Sequence, residues 1–206
     1  MKNYNQHIIN CIITGQILGD AFLEKVGTNA RLTFSFGSKI SNYANWILTI
    51  FQPFCSNNKG VYEVRTIYIN KEYIQYRLKT RTNTLFTNFH NKFYQIENGR
   101  YRKIVPHDVK VCPVVLAHFI IGDGNYSKEG PIRIFTNNYT YDECVILSKS
   151  IYVYSGVKCT VVLDRVNKKG IKQYILNFNK TQVQVLQNKV KPYLCNTIYY
   201  RVGLYY

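Results

Sequence analysis

Two aspartates end two similar apolar segments of this chain. The first segment, residues 13–21, has the sequence ITGQILGDA, and the second, residues 116–124, has the sequence LAHFIIGDG. Both contain Gly-Asp followed by a small residue, and Asp20 and Asp123 lie 103 positions apart in a chain of 206 residues. A carboxylate at the end of a buried helix costs free energy unless a partner compensates its charge. Two such carboxylates therefore indicate a site for a cation.

The elements that must position these aspartates also occur twice. Each apolar segment is followed by a strand pattern, a helix pattern, a pair of strands and a final helix, so the period is about half the chain. This order predicts an α+β fold with two pseudo-symmetric αββαββα halves, residues 1–98 and 113–206, joined by a linker at 99–112. The predicted strands are 31–36, 61–69 and 73–80 in the first half and 131–135, 158–165 and 171–178 in the second, with helices at 42–51 and 141–152.

The paired segments resemble the motifs of the LAGLIDADG homing endonucleases, in the single-chain form that carries both halves on one polypeptide. The resemblance extends from about Ile9 to Leu204. It implies that the two motif helices pair and that antiparallel sheets form a DNA-binding saddle. It also implies a monomeric, site-specific DNA endonuclease that cuts both strands of a long, imperfectly symmetric target and promotes the mobility of its own intron.

One residue departs from the motif of that family. His118 stands where Gly15 stands in the first segment. Small residues allow two helix backbones to approach closely, and Thr14, Gly15 and Gly19 would face Ala117 and Gly122. A bulky imidazole in this row predicts either that the helices splay apart there or that the ring turns outward.

Composition favours a nucleic-acid partner over a membrane surface. The chain has 27 Lys and Arg residues against 11 Asp and Glu, a formal net charge of +16, and no apolar run of the roughly 18 residues that a membrane span needs. Its six cysteines form no CxxC pair, so they are predicted to be buried free thiols. Abundant Asn, Lys, Ile and Tyr indicate an A·T-rich genome, which within this family favours an organelle, and a mitochondrion over a chloroplast.

Alternating polar side chains in the strands predict a DNA-contacting face. Arg, Lys, Gln and Asn are the side chains that can form paired hydrogen bonds with guanine and adenine edges in the major groove. A solvated sheet face shows the same alternation, but it would carry more Glu. The predicted DNA-contacting residues are Arg31, Thr33, Ser35, Lys71, Tyr73, Gln75, Arg77, Lys79, Arg133, Gln173, Asn177 and Asn179. Glu24 is interpreted as a loop charge.

The two aspartates suit metal-assisted phosphodiester hydrolysis. Mg²⁺ or Mn²⁺ takes one or two carboxylates together with water and phosphate oxygens, so few protein ligands are needed. The predicted catalytic and metal-binding residues are therefore Asp20 and Asp123. The resemblance adds the backbone carbonyls of Gly19 and Gly122 as secondary ligands, and two-fold symmetry implies one reaction centre for each DNA strand.

Two basic residues complete the predicted site. Lys103 and Arg201 occupy matching places in YRKI and YYRV, where the two halves are expected to close alike. The resemblance places a basic residue in this region, where it would polarise the water network or stabilise charge on the phosphate. A plain phosphate contact is an equal alternative for either residue.

Two other functions remain open on the same scaffold. An RNA maturase that assists intron splicing would use the basic surface and could dispense with the aspartates, whereas a DNA-binding protein could have lost cleavage. Retention of both aspartates favours the nuclease, because a protein that does not cut has no evident reason to hold two carboxylates against a polyanion.

Overall fold

The computed structural model describes residues 5–37, 41–56, 61–69, 71–127 and 130–204. Within these ranges the two halves follow the same order of elements, αββαββα, and every strand pairing is antiparallel. The predicted fold class is confirmed.

The first half builds one four-stranded sheet with the order β1-β2-β4-β3. Helix α2 packs against β2 and β4, and a cluster of aromatic rings that includes Phe34, Phe51 and Phe86 forms the core. The elements of this half are α1 (Gln6–Leu18), β1 (Phe22–Val26), β2 (Asn29–Gly37), α2 (Ser41–Phe51), β3 (Tyr62–Tyr68), β4 (Lys71–Lys79) and α3 (Thr84–Phe93).

A short hairpin separates the halves. Strands β5 (Tyr94–Glu97) and β6 (Arg100–Lys103) pair through a turn at Asn98 and Gly99, whose φ angles are 51° and 74°. Two consecutive positive φ angles are typical of the tight hairpin turn that Asn-Gly favours. The segment predicted as the linker, residues 99–112, therefore contains β6 before its extended part begins.

The second half repeats the architecture with the sheet order β7-β8-β10-β9. Helix α5 begins with a capping box, in which Thr140 and Glu143 exchange side-chain and backbone hydrogen bonds, and it ends at Gly156 in the left-handed region. The elements are α4 (Pro113–Asp123), β7 (Gly124–Tyr126), β8 (Ile132–Phe135), α5 (Tyr141–Ser155), β9 (Thr160–Val166), β10 (Lys172–Phe178), α6 (Lys180–Val190) and a 3₁₀ segment, Asn196–Val202.

Contacts divide the described residues into two compact units that do not coincide with the two halves. One unit is formed by residues 20–92, and the other by residues 5–19 together with 93–204. Helix α1 therefore packs with the elements of the second half. The domain boundaries proposed from the sequence remain a prediction.

No helix in the described part of the chain has the length and apolar character needed to cross a membrane.

Candidate active site and nucleic-acid interface

Helices α1 and α4 approach so closely that glycine is required at their contact. A Cβ atom at Gly15 would overlap the carbonyl oxygen of Val115 and lie 2.7 Å from the Cβ of His118. A Cβ atom at Gly19 would lie 3.3 Å from the Cα of Gly122. The predicted pairing of the two motif helices is confirmed at these glycines, which remove the side chains that would otherwise hold the backbones apart.

His118 is buried within this contact, so both expectations for it are wrong. The helices do not splay, and the imidazole does not turn outward, because the side chain is 1% exposed and Gln16 Nε2 donates to its Nδ1 at 3.2 Å. Gly15 on the facing helix provides the space that the larger residue needs. The contact is therefore complementary in size, with glycine opposite histidine.

Burial lowers the pKa of His118 from its ordinary 6.5 to about 3. Between these values the unfolded chain binds a proton at His118 and the folded chain does not, so the unfolding free energy falls as the pH falls. A single such group changes stability by about 1.4 kcal/mol per pH unit. We expect the wild type to lose about 2 kcal/mol more than His118→Gln between pH 7 and pH 5, measured by urea unfolding. Equal losses in the two proteins would contradict a buried neutral imidazole.

The C-terminal end of α1 is held by one side chain from the β5–β6 hairpin and one from the second half. Lys103 Nζ donates to the carbonyl oxygen of Gly19 at 2.8 Å, and the hydroxyl of Tyr139 donates to the carbonyl oxygen of Leu18 at 2.9 Å. The last carbonyls of a helix lack intrahelical partners, so both hydrogen bonds satisfy groups that would otherwise need water. Burial, with a contribution from the charge of Asp123, raises the pKa of Tyr139 well above its ordinary value, so it remains a neutral donor.

Arg201 contacts the backbone at the end of α4. Its Nη1 donates to the carbonyl oxygen of Gly124 at 2.7 Å, one residue beyond Asp123. The backbones that present the two basic residues differ, since Lys103 ends a strand and Arg201 lies in a 3₁₀ segment. The expectation that the halves close alike is wrong for the backbone. The carbonyls that the two side chains reach also differ in motif position, since Gly19 precedes Asp20 whereas Gly124 follows Asp123.

A cavity of about 480 Å³ opens beside these contacts. Its lining includes Gly19, Lys103, Asp123, Asn137 and Tyr139. Asp123 is the last residue of α4, so its carboxylate is placed by the rigid helix contact. The structure thus brings together three of the predicted site residues, Gly19, Lys103 and Asp123, all within the unit formed by residues 5–19 and 93–204.

The donor atoms in this cavity suit a hard cation. The described residues contain no group of three His, Cys, Asp or Glu side chains that could hold a metal. A carboxylate and backbone carbonyls suit a hard divalent cation, because they leave positions for water and phosphate. In this structure the Gly19 carbonyl oxygen accepts a hydrogen bond from the Lys103 ammonium.

Asp20 lies in the other compact unit. It follows Gly19 directly in the chain, is exposed, and stands in a turn beyond the end of α1. Its pairing with Asp123 remains a prediction.

Two residues of the cavity were not expected from the sequence. Asn137 follows β8, and within the described structure its Oδ1 is buried without a hydrogen-bond partner. Tyr139 holds the end of α1 from a distance of 121 residues in the chain. No local motif marks either residue. Only their place just after β8, next to a predicted strand end, could have drawn attention to them.

In the first sheet, one predicted contact residue is inaccessible and two are engaged by a carboxylate. Glu24 lies in β1 and binds Arg31 through two hydrogen bonds of 2.8 Å and Lys79 at 3.3 Å. These hydrogen bonds lower the pKa of Glu24 to about 2, and the hydrogen bonds from Arg31 make the largest contribution. The interpretation of Glu24 as a loop charge is wrong. Thr33 is 1% exposed between its ladder neighbours Phe22 and Lys79, so the polar face is interrupted there.

The rest of the polar row on the first sheet is accessible. Ser35 pairs with Arg77, and Arg77 pairs in turn with Tyr62, so these side chains lie on the same face across three strands. Exposed residues of β4 extend this face along the strand. They are Lys71, Tyr73 and Gln75.

The second sheet carries a corresponding polar row. Ladder pairing places Asn125, Arg133, Asn177 and Thr160 side by side across all four strands. Gln173 accepts a hydrogen bond from Arg165 across the β9–β10 ladder. The predicted contact residue Asn179 lies outside β10, where it caps α6 by accepting from the backbone of Gln182. Its side chain is therefore already used in starting a helix.

These features match a known family across most of the chain. Residues 10–186 match the profile of the LAGLIDADG DNA endonuclease family. The chain belongs to this family.

Individual relatives agree with this assignment. The cytochrome b mRNA maturase bI2 of Debaryomyces hansenii is 27% identical over 198 residues, which cover 93% of this chain and 72% of the relative. The probable intron-encoded DNA endonuclease 3 of Mycosarcoma maydis is 27% identical over 131 residues, which cover 62% of this chain and 92% of the relative.

Solved structures confirm the fold. The homing endonuclease I-WcaI bound to its DNA recognition sequence superposes with a TM-score of 0.80 at 20% identity, covering all of this chain and 91% of that one. A variant of the homing endonuclease I-DmoI, in complex with its target DNA in the presence of Mg, gives a TM-score of 0.55 at 15% identity, covering 91% of this chain and 98% of that one.

Proposed function

We propose that this protein is a site-specific DNA endonuclease that hydrolyses one phosphodiester bond on each strand of a double-stranded target. One observation carries the proposal. In a member of the LAGLIDADG DNA endonuclease family, Gly19, Asp123 and Lys103 line one cavity at the ends of two closely packed helices. Oxygen donors and a fixed ammonium in one cavity are suited to a phosphate that gains charge during hydrolysis.

Mg²⁺ or Mn²⁺ is the proposed cofactor, held by Asp20 and Asp123 with the carbonyl oxygens of Gly19 and Gly122 as further ligands. When bound, the metal acidifies a water molecule, neutralises charge on the phosphate and stabilises the leaving oxygen. The chain itself contributes the placement of these oxygens. Helix α4 fixes Asp123, and the hydrogen bond from Lys103 orients the carbonyl of Gly19.

Lys103 and Arg201 are the proposed basic residues of two reaction centres. Each lies against a backbone carbonyl next to an aspartate in the chain, since Gly19 precedes Asp20 and Gly124 follows Asp123. Their positive charge would stabilise the phosphate as the bond to the leaving oxygen breaks. The guanidinium of Arg201 is planar and does not deprotonate, whereas the ammonium of Lys103 is a compact charge that can lose a proton. The two centres are therefore not expected to cut at equal rates.

The strand faces are the proposed DNA-contacting surfaces. Polar side chains lie in rows on one face of each sheet. They include Lys71, Gln75 and Arg77 on the first sheet, and Arg133 and Asn177 on the second. With a net charge of +16, affinity for duplex DNA should fall steeply as salt is added. A double-strand break at one long, imperfectly symmetric site would promote the mobility of the intron that encodes the protein, acting as a monomer. The A·T-rich bias of the sequence supports an organelle, with the mitochondrion favoured.

Cleavage of the intronless junction tests this proposal. The full chain is incubated with duplex DNA that joins the two exons of its host gene, with Mg²⁺, with Mn²⁺ or with EDTA. We expect one cut on each strand with either metal and none with EDTA. Cleavage that persists in EDTA would overturn the role of the metal, and binding of the junction without any cut would favour the DNA-binding protein that has lost cleavage.

Removing one basic residue at a time should convert the enzyme into a nickase. If Lys103 and Arg201 serve separate centres, Lys103→Met should slow cutting of one strand by about 100-fold and Arg201→Met should slow the other, as expected for loss of one charge-stabilising donor. A supercoiled plasmid carrying the target would then accumulate as a nicked circle, and strand-specific end labels would identify which strand remains intact.

Lys189→Met is the matched control for these variants. Lys189 is exposed on α6 and is not among the residues that line the cavity, so its loss should leave both cutting rates unchanged. Equal slowing of both strands by each cavity variant would contradict the assignment of one basic residue to each centre.

A maturase is the second candidate, because the Debaryomyces hansenii relative is a cytochrome b mRNA maturase. Intron RNA would then bind the basic surface without a need for the aspartates. Splicing of the host intron in the presence of an Asp20→Asn, Asp123→Asn double variant separates the two functions. The maturase would be favoured by two results together: the double variant still supports splicing, and the wild-type protein does not cut DNA.

A further inference from the structure

Two cysteine sulfurs lie against each other where α1 meets the start of α4. Cys11 lies in α1, and Cys112 immediately precedes Pro113, the first residue of α4. Their Sγ atoms are 3.7 Å apart, and the Sγ of Cys11 is also 3.7 Å from Nε2 of His7. Both cysteines are free thiols, and both belong to the unit formed by residues 5–19 and 93–204.

The two thiols lie in different surroundings. Cys112 is the N-cap residue of α4 and its sulfur lies 3.7 Å from that of Cys11. The hydrogen bond with Cys11, together with the backbone N–H groups at the start of α4, lowers the pKa of Cys112 in spite of partial burial. The hydrogen bond with Cys112 and burial raise the pKa of Cys11. A thiolate at a helix N-terminus is the usual environment of a reactive cysteine, because the helix dipole and the free N–H groups stabilise its charge. Cys112, which is partly exposed, is therefore the attacking thiol.

We propose that Cys11 and Cys112 form a thiol–disulfide exchange site that reacts with low-molecular-weight disulfides such as oxidised glutathione. The Cys112 thiolate attacks one sulfur of the small disulfide, which forms a mixed disulfide and releases one thiolate. Cys11 then loses its proton to His7, and its thiolate attacks the sulfur of Cys112 and releases the second small thiolate. The small disulfide is reduced to two thiols as the two cysteines are oxidised to one disulfide.

The surroundings of the other cysteines distinguish this pair. Cys55, Cys144, Cys159 and Cys195 hydrogen-bond to oxygen atoms, of Phe51, Thr136, Ser148 and Thr197 respectively. A disulfide needs its sulfurs at about 2.05 Å, so the Cys11 and Cys112 sulfurs, which are 3.7 Å apart, must approach by about 1.7 Å. The bond would tie α1 to α4 and close a loop of about 100 residues.

Oxidation of the folded full chain tests the site. The protein is incubated at neutral pH with oxidised glutathione and mapped by mass spectrometry without reduction. We expect a peptide pair joined through Cys11 and Cys112 with the loss of two hydrogen atoms. Cys11→Ser should instead accumulate glutathione on Cys112, because the resolving thiol is absent, and Cys112→Ser should react at least 10-fold more slowly. Cys195→Ser is the matched control and should form the bond at the wild-type rate.

Thermal unfolding gives a second, independent readout. A disulfide that closes so long a loop should raise the melting temperature by at least about 5 °C, and dithiothreitol should reverse the rise. Two outcomes would overturn the proposal: glutathione that stays on Cys112 of the wild type without resolution, or a Cys11–Cys112 bond that forms no faster in the folded chain than in urea. Neither readout depends on DNA cleavage, so the result stands apart from the proposed nuclease activity.

Discussion

Replacing Asp123 with Asn is expected to reduce the rate of DNA cleavage at least about 1000-fold while duplex binding is retained. The substitution keeps the size and the hydrogen-bonding capacity of the side chain but removes the negative charge that a divalent metal needs. A loss of this size corresponds to about 4 kcal/mol of transition-state stabilisation, a reasonable contribution for a metal that neutralises the phosphate and activates water. Single-turnover cleavage of a labelled target measures the rate, and a gel-shift assay in Ca²⁺ measures binding.

Asp142→Asn is the matched control for this prediction. Asp142 is an exposed carboxylate in the first turn of α5, and it is not among the residues that line the cavity. Its replacement should change cleavage less than about twofold, as is usual for a surface substitution remote from the chemistry. Wild-type cleavage by Asp123→Asn would remove Asp123 from the mechanism and would leave the cavity without its proposed metal ligand.

Gly15→Ala is expected to lower the free energy of unfolding by about 2–3 kcal/mol. Alanine is favoured over glycine within a helix by about 1 kcal/mol, so an increase in stability would follow if only α1 were considered. The added Cβ atom, however, would overlap the carbonyl oxygen of Val115 and press on the Cβ of His118. Backbone atoms of a packed helix cannot move aside cheaply, and overpacking of this kind costs about 1–3 kcal/mol or more. Urea unfolding followed by circular dichroism measures the change.

The control is the same substitution where space is available. A Cβ atom at Gly37, the last residue of β2, would meet no other atom within 4 Å, so Gly37→Ala should change stability by less than about 0.5 kcal/mol. Stability of Gly15→Ala equal to that of the wild type would mean that α1 and α4 lie farther apart than the structure places them.

The order of elements in both halves is predictable from the sequence, because the hydrophobic period changes at each boundary between helix and strand. The bounds of strands β1 and β7 cannot be predicted in this way, because five and three residues are too few to define a hydrophobic period. The hairpin β5–β6 was predictable from its Asn-Gly turn, which is a strong local signal. Its place between the two halves favours a linker instead, and the alternation of Arg100, Tyr101 and Arg102 is too short to outweigh that position.

Some residues of the candidate site could likewise be predicted from the sequence, and others could not. Gly19, Asp123 and Lys103 are marked by motifs that occur twice, so their types and spacing were sufficient to select them. Tyr139 could not be selected, because its partner, the carbonyl of Leu18, is a backbone group that is brought near only by the tertiary fold. The error at His118 has a physical cause as well. Sequence alone shows a large residue in a row of small ones, whereas the fit depends on which residue of the facing helix lies opposite.

Glu24 illustrates a further limit of pattern reasoning. An alternating strand identifies which side chains share a face, but it does not identify the acid on the neighbouring strand that binds them. The pairing of Glu24 with Arg31 follows from the β1–β2 register, in which the two residues are direct ladder partners. Lys79 reaches the same carboxylate from β4. The face is therefore less basic at this corner than the composition of its strands implies.

The packing of α1 also has a consequence for protein engineering. Exchange of modules between related enzymes would normally cut this chain at the midpoint of its duplication, near residue 98. Such a cut would fall in the turn of the β5–β6 hairpin and would separate α1 from α4, its partner within a single compact unit. Chimaeras with a crossover after Gly19 and another before Phe93 would keep every contact of that unit within one parental sequence. The transferable cassette is then the internal segment of residues 20–92, inserted between the two parts of its host.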